Sequence, residues 1–208
     1  MCFDSKASIL AFTLSYTIAW YIFERNRNYD RWLAGFIIAF SMIQLLEAGL
    51  WKTIEKPTDH SGEINDLLTR LILLVLLFQP FIQSYLGYKY THSSILGYMT
   101  IAFALILCFA LYRTYSSSPG QFNSFVGEKG HLVWTDAKSP ASFMGWVGFL
   151  YLMGIFIPLL FMKDWKGLPI IIIGVMTALY SLYVAGKGEF GSYWCFTAVA
   201  VSLTALFL

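Results

Sequence analysis

Charged side chains are scarce in this chain. Asp, Glu, Lys and Arg make up 12% of its 208 residues, whereas a soluble domain carries about 25%. Hydrophobic residues make up 58%, and the mean hydropathy is +0.63. A chain this poor in charge lacks the polar side chains that cover a globular surface in water. The composition therefore predicts a protein whose solvent is the lipid bilayer.

Cysteine and net charge are also scarce, and each scarcity excludes a class of protein. The three cysteines, Cys2, Cys108 and Cys195, are far apart in the chain, which argues against a disulfide framework and against a zinc finger. A net charge of +2 is too small to indicate nucleic-acid binding. The last apolar run, 190–208, contains no Lys, so a retinal protein with a Schiff-base lysine is excluded.

Apolar runs fill almost the whole chain, and each is close to the 20 or so residues that cross a bilayer. Because a lipid-exposed backbone must satisfy its own hydrogen bonds, these runs predict helices. The sequence thus predicts an all-α fold: one domain, residues 1–208, forming a seven-helix transmembrane bundle with an external loop or hairpin between helices four and five. The predicted spans are 7–23, 32–51, 67–86, 94–112, 143–162, 167–185 and 190–208.

The basic residues predict how this bundle sits in the membrane. An odd number of spans places the two termini on opposite sides. Short turns at 24–31, 87–93 and 163–166 hold Arg and Lys close to the spans, where the positive-inside bias is strongest. We therefore expect the N-terminus outside and the C-terminus inside. Segment 113–142 is then external, and its apolar residues predict a packed cap or a short hairpin.

Polar residues in the second span are the first candidates for a functional site. Ser41, Gln44, Glu47 and Trp51 fall on one stripe of the helix, and ionisable groups at membrane depth are functional candidates by default. We expect Glu47 to be a general base or metal ligand near the outer end, with Gln44 as an orienting donor. The alternative is that Glu47 simply pairs with Arg70 or extends to the lipid headgroups.

A metal site is predicted on the same side of the membrane. Cys2, Glu47 and His131 all fall there in a seven-span bundle, and thiolate, carboxylate and imidazole are ligands of zinc and other transition metals. Each residue also has an ordinary interpretation: Cys2 can be acylated or buried, and a loop His is usually solvated or packed. A site containing these three residues remains a hypothesis at this point.

A second polar group lies in the third span. Gln79 and Gln83 flank Pro80, which removes a backbone donor and kinks a helix. Together with Gln44 and Glu47 they could line a path for a solute. A packing role explains them equally well.

Short motifs resemble a little-characterised membrane family associated with bacteria and large DNA viruses. Its members begin Met-Cys-Phe-Ser with a following Ala-Ser, and carry Gln-x-x-Glu-Gly-x-x-Trp in the second span. The resemblance implies that Cys2, Gln44, Glu47 and His131 are motif positions, and it carries no function. Asp4 in place of Ser, and a glycine shifted by one at Ala48-Gly49, depart from the pattern. The matching segments are Met1-Cys2-Phe3, Ala7-Ser8, Gln44-x-x-Glu47-x-x-x-Trp51, Gln79-Pro80 and Gly130-His131-Leu132.

Three functions compete on this sequence. The first is an integral membrane protein with a polar metal-binding site at the outer end of helices one to three. In the most specific version of this hypothesis, the protein is a membrane-embedded enzyme. The second is a transporter or channel for a small solute or ion. The third is a structural or assembly protein whose polar residues only lock helices together. The expected partners are the lipid bilayer, a small molecule or ion, and further copies of the chain in a homo-oligomer.

Overall fold

Helices dominate the computed structural model, which describes residues 4–136 and 146–208, and a single hairpin joins them within that part of the chain. The all-α prediction is therefore confirmed. A 3-10 helix, Ile157–Phe161, continues α5. The elements are α1 Ser5–Arg25, α2 Asp30–Glu55, α3 Ser61–Thr91, α4 Ser94–Tyr115, β1 Phe122–Val126, β2 Leu132–Asp136, α5 Trp146–Phe156, α6 Leu168–Val184, α7 Phe190–Thr197 and α8 Val199–Ala205.

Four of these helices, α1 to α4, are long and apolar enough to cross a membrane. The three remaining apolar stretches are shorter, at Gly148–Phe161, Leu168–Val184 and Phe190–Ala205. Helices suited to a membrane are thus confirmed for the first four predicted spans. The seven-span arrangement as a whole stays a prediction.

Helix α4 shows most directly why this fold suits lipid. Its side chains Tyr98, Ile101, Leu105 and Phe109 are 60–73% exposed, and their spacing places them along one face of the helix. Continuous apolar exposure of this kind is a liability in water. A bilayer covers the same surface at no such cost.

The two ends of the bundle are held by different contacts. At one end the Ser5 backbone N–H donates to Glu55 Oε1 over 3.3 Å, so α1 begins where α2 ends. We call this the hairpin end, because β1 and β2 also lie there. At the opposite end Arg25 forms a two-pronged ion pair with Asp30 at 2.8 Å and donates to the Leu206 carbonyl at 2.6 Å. The described chain therefore starts and finishes at opposite ends, as an odd number of crossings requires.

Aromatic packing around Trp194 forms the middle of the core. Phe40, Tyr151, Phe156 and Phe190 surround its ring, with centroid separations of 5.6–6.4 Å. These side chains come from α2, α5 and α7. The C-terminal helices are therefore packed onto the first three through apolar contacts.

Pro80 lies inside α3, which continues through it to Thr91. A Cβ atom placed on Gly154 of α5 would lie 2.5 Å from Pro80 Cβ, so glycine at 154 lets α5 approach α3 closely at the proline. The Ser84 hydroxyl donates to the Pro80 carbonyl over 2.7 Å. These contacts favour the packing interpretation of Pro80.

Candidate functional site

The segment between α4 and α5 contains a β-hairpin, as predicted. Strands β1 and β2 pair antiparallel from Phe122 opposite Asp136 to Val126 opposite Leu132. The Gly127 N–H donates to the His131 carbonyl over 2.8 Å at the turn. His131 is thereby held at the point where β2 begins.

Asn65 docks the hairpin onto α3 by imitating a neighbouring strand. Its amide nitrogen donates to the Ser124 carbonyl at 2.9 Å, and its amide oxygen accepts from the Ser124 N–H at 2.8 Å. The Thr69 and Ser124 hydroxyls are 2.7 Å apart. Because all three residues are buried, these hydrogen bonds take the place of those that the Ser124 backbone would otherwise make to water.

Asp66 and Arg70 form an i,i+4 ion pair, with Arg70 Nε 2.7 Å from Asp66 Oδ2. Asp66 also accepts from the Phe122 N–H at 2.9 Å, and Arg70 donates to the Ser118 carbonyl at 2.7 Å. Arg70 is therefore committed to the hairpin and its approach. The alternative in which it pairs with Glu47 is wrong.

Glu47 lies deeper than the sequence suggested. Helix α2 continues to Glu55, so Glu47 is eight residues, or about 12 Å, from the helix end. Its side chain is 2% exposed, so the alternative in which Glu47 extends to the lipid headgroups is also wrong. Gln44 Nε2 donates to Glu47 Oε2 over 2.9 Å, which is the bond predicted for an orienting donor.

Glu47 has polar neighbours from two other parts of the chain, β2 and α7. The Ser192 hydroxyl and the Trp134 indole approach its carboxyl group as donors, and the Cys195 thiol lies within electrostatic reach of it. Within the described residues, however, Glu47 Oε1, Gln44 Oε1 and Trp134 Nε1 are buried without a hydrogen-bond partner of full geometry. We call Gln44, Glu47, Trp134 and Ser192 the Glu47 cluster.

The deeper glutamines differ from this cluster because their amides are fully engaged. Gln79 accepts from the Tyr151 hydroxyl and donates to a backbone carbonyl of α2 at 3.4 Å. Gln83 accepts from Trp32 Nε1 at 3.0 Å and donates to the Ile155 carbonyl at 3.1 Å. Both residues therefore lock α2, α3 and α5 together, as interhelical hydrogen bonds do in membranes.

His131 is buried against α7 rather than solvated. Its ring lies edge to face with Tyr193, at a centroid separation of 4.4 Å. Burial lowers the pKa of His131 because it disfavours the imidazolium, while the nearby Glu189 acts in the opposite direction. Glu189 accepts from the Lys129 N–H at 2.7 Å. His131 and Glu189 thus join the hairpin turn to the start of α7.

The predicted metal ligands are only partly described. Residues 4–136 and 146–208 bring together no group of three His, Cys, Asp or Glu side chains that could hold a metal ion. Cys2 lies outside the described residues. Glu47 lies beside Ser192, and His131 lies beside Tyr193. These two contact residues are adjacent in α7. A transition-metal site containing Cys2, Glu47 and His131 therefore stays a prediction.

Sequence reasoning missed the partners that α7 supplies. Ser192 and Cys195 are three residues apart, which places them on one helix face. In an apolar run this spacing is equally typical of packing, so nothing local distinguished them. Trp134 is two residues past the Gly130-His131-Leu132 motif in sequence, but its approach to Glu47 depends on the hairpin docking.

Comparison of the chain with protein-family models, with curated proteins and with solved structures finds no match. The resemblance to the bacterial and viral membrane family therefore stays a prediction. The functional interpretation has to come from the geometry of the site.

Proposed function

We propose that this chain is an integral membrane protein of seven spans in one domain, with the hairpin end outside. The apolar helices α1 to α4 and the separation of the two ends of the chain support this arrangement. The three shorter helices complete the count as α5 with its 3-10 extension, α6, and α7 with α8.

Cysteine labelling in intact cells tests this orientation. Asn123→Cys marks the exposed side of β1 and Arg27→Cys marks a turn at the opposite end. Cys2 and Cys108 are first replaced by Ser. A membrane-impermeant maleimide should label position 123 and spare position 27 until the cells are permeabilised; the reverse pattern would contradict the orientation.

The proposed activity is binding of a small cation at the Glu47 cluster, beneath the hairpin. One observation carries it: two buried acceptor oxygens, Glu47 Oε1 of the carboxyl group and the neighbouring Gln44 Oε1, lack a hydrogen-bond partner of full geometry among the described residues. Buried polar atoms are normally hydrogen-bonded, and leaving one unpaired costs about 1–3 kcal/mol. A bound cation would supply the partner that both acceptor oxygens lack, and the Glu47 carboxylate would balance its positive charge.

The chemistry of the cluster narrows the class of cation. Carboxylate, amide and hydroxyl oxygens suit hard cations or ammonium-type donors, whereas zinc prefers sulfur and nitrogen ligands. Trp134 connects the site to the hairpin, so binding is coupled to hairpin docking. The engaged amides of Gln79 and Gln83 do not favour a polar path continuing across the protein, which makes binding a better interpretation than transport.

Thermal unfolding of the detergent-solubilised protein tests the proposal. Wild type is heated with chloride salts of ammonium, methylammonium, Na⁺, K⁺, Mg²⁺, Ca²⁺ and Zn²⁺ at constant ionic strength. A ligand of the native state at 100 times its Kd stabilises by about 2.7 kcal/mol. We expect one hard or ammonium-type cation to raise Tm.

The matched variants are Glu47→Gln, which keeps the shape and removes the charge, and Glu63→Gln, an exposed control. The Tm shift should disappear in Glu47→Gln and persist in Glu63→Gln. Equal shifts in both variants, or none in wild type, would refute the proposal. A Zn²⁺ response that requires Cys2 and His131 would favour the transition-metal hypothesis instead.

A further inference from the structure

An apolar groove runs between α2 and α3, separate from the Glu47 cluster. Its volume is about 470 Å³, within the range of about 300–1,000 Å³ typical of small-molecule sites. Phe23 and Arg31 stand at one end of it. We call it the α2–α3 groove; its walls include Gly35, Ile38, Met42, Val75, Phe78 and Ile82.

The groove has the length of one membrane leaflet. Its α2 wall runs from Arg31 to Met42, and its α3 wall runs antiparallel from Leu86 to Val75. Each wall is twelve residues long, and the eleven rises between its first and last residue span about 16 Å of helix. One leaflet of the hydrocarbon core is about 15 Å deep, half of the roughly 30 Å total. An acyl chain entering beside Arg31 would therefore stay in the groove over the full depth of its leaflet.

Arg31 supplies a positive charge at the mouth of this groove. Its guanidinium lies over the Phe23 ring, 5.1 Å from the centroid, which holds it beside the opening. Asp30, the adjacent acid, is already paired with Arg25 at 2.8 Å. Within the described residues no carboxylate pairs with Arg31. The guanidinium is thus available to a ligand, and its planar fork of donors suits a phosphate group.

We propose that the α2–α3 groove binds an anionic glycerophospholipid, with the phosphate on Arg31 and one acyl chain between α2 and α3. The positive charge of Arg31 lies at the mouth of the groove and the apolar walls extend inward from it. An anionic phospholipid has the same order, with a charged headgroup followed by apolar acyl chains. In the proposed orientation this end lies in the cytoplasmic leaflet, where anionic lipids attract basic residues. The site is independent of cation binding at Glu47.

Native mass spectrometry of the purified protein tests the headgroup contact. The protein is titrated with phosphatidylglycerol or phosphatidylcholine of identical acyl chains, and retained lipids are counted. Wild type should retain one phosphatidylglycerol in preference to phosphatidylcholine. Arg31→Gln should reduce that preference about fivefold, whereas Arg27→Gln, an exposed arginine of the same turn, should leave it unchanged. Equal retention of both lipids by wild type, or equal losses in the two variants, would overturn the proposal.

A second pair of variants tests the acyl-chain contact. Ile38→Trp fills the groove, and Leu45→Trp places the same side chain on an exposed position of α2 outside it. Ile38→Trp should abolish retention of the single lipid, and Leu45→Trp should preserve it. Tm is measured for every variant, so that a lost lipid is not confused with a lost fold. Retention that is the same in both tryptophan variants would contradict binding in the groove.

Discussion

Replacing Asn65 by Ala should release the hairpin without unfolding the helices. The change removes both hydrogen bonds between Asn65 and the Ser124 backbone. A typical hydrogen bond contributes about 0.5–1.5 kcal/mol net, so docking should weaken by about 1–3 kcal/mol. Leaving the Ser124 N–H and carbonyl buried and unpaired adds to this loss if the hairpin stays in place.

Hydrogen exchange of the hairpin amides measures this change. Each 1.4 kcal/mol is a factor of ten in an equilibrium constant, so a loss of 1–3 kcal/mol should speed exchange by about five- to a hundredfold in segments 122–126 and 132–136. The strongest effect is expected at the Ser124 amide. Segments inside α2 and α3 should exchange as in wild type, because their own hydrogen bonds are unaffected.

Asn123→Ala is the matched control, since Asn123 is the exposed neighbour on β1. Its substitution should leave hairpin exchange near the wild-type rate. If Asn65→Ala exchanges no faster than Asn123→Ala, then apolar contacts alone dock the hairpin. The strand-like role of Asn65 would then be refuted.

Three further changes test the contacts at the two ends. Arg25→Lys keeps the charge but loses the two-pronged pair with Asp30, and should lower the free energy of unfolding by about 2 kcal/mol in thermal unfolding. Stability conferred by neutral His131 should be full above its ordinary pKa of 6.5 and decrease as pH falls below that value, because its pKa is lowered in the folded protein. Thermal unfolding between pH 7.5 and 5 should show this decrease, and His131→Phe should reduce it. Gly127→Ala should displace the Glu189 carboxylate, which a Cβ there would meet, and should speed exchange at the hairpin turn.

Matched controls accompany these changes. Arg27→Lys alters an exposed arginine in the same turn as Arg25, and should leave Tm unchanged. Gly62→Ala adds a Cβ that meets nothing within 4 Å. Equal effects of Gly62→Ala and Gly127→Ala would contradict the steric explanation. A pH response that persists unchanged in His131→Phe would contradict its assignment to His131.

The parts of the fold that local patterns determine could be predicted from sequence. Apolar runs located α1 to α4, and Asp66 and Arg70 pair at the i,i+4 spacing that is typical of ion pairs on a helix. The apolar residues of segment 113–142 predicted a packed cap or a short hairpin. In each case the partners are close in sequence or the pattern follows one element.

Contacts between distant segments were beyond such patterns. Trp134 and Ser192 come from elements far from Glu47 in sequence, and their approach to it requires the hairpin to dock and α7 to pack. The break between α7 and α8 at Ala198 also lacks a proline or glycine to announce it. The depth of Glu47 was missed because α2 extends four residues past the predicted span end at Trp51.

Two buried glutamates at the hairpin end indicate how structure and function divide there. Glu189 accepts from the Lys129 and Gly186 N–H groups, so its carboxylate is satisfied by the backbone that it organises. Glu47 faces only side-chain donors, and its Oε1 atom lacks a partner among the described residues. A carboxyl group held by backbone N–H groups stabilises one conformation, whereas one with an unfilled acceptor in an apolar core has free energy to gain from a ligand. Glu189 therefore stabilises the hairpin turn, and Glu47 is the glutamate whose surroundings suit the proposed cation.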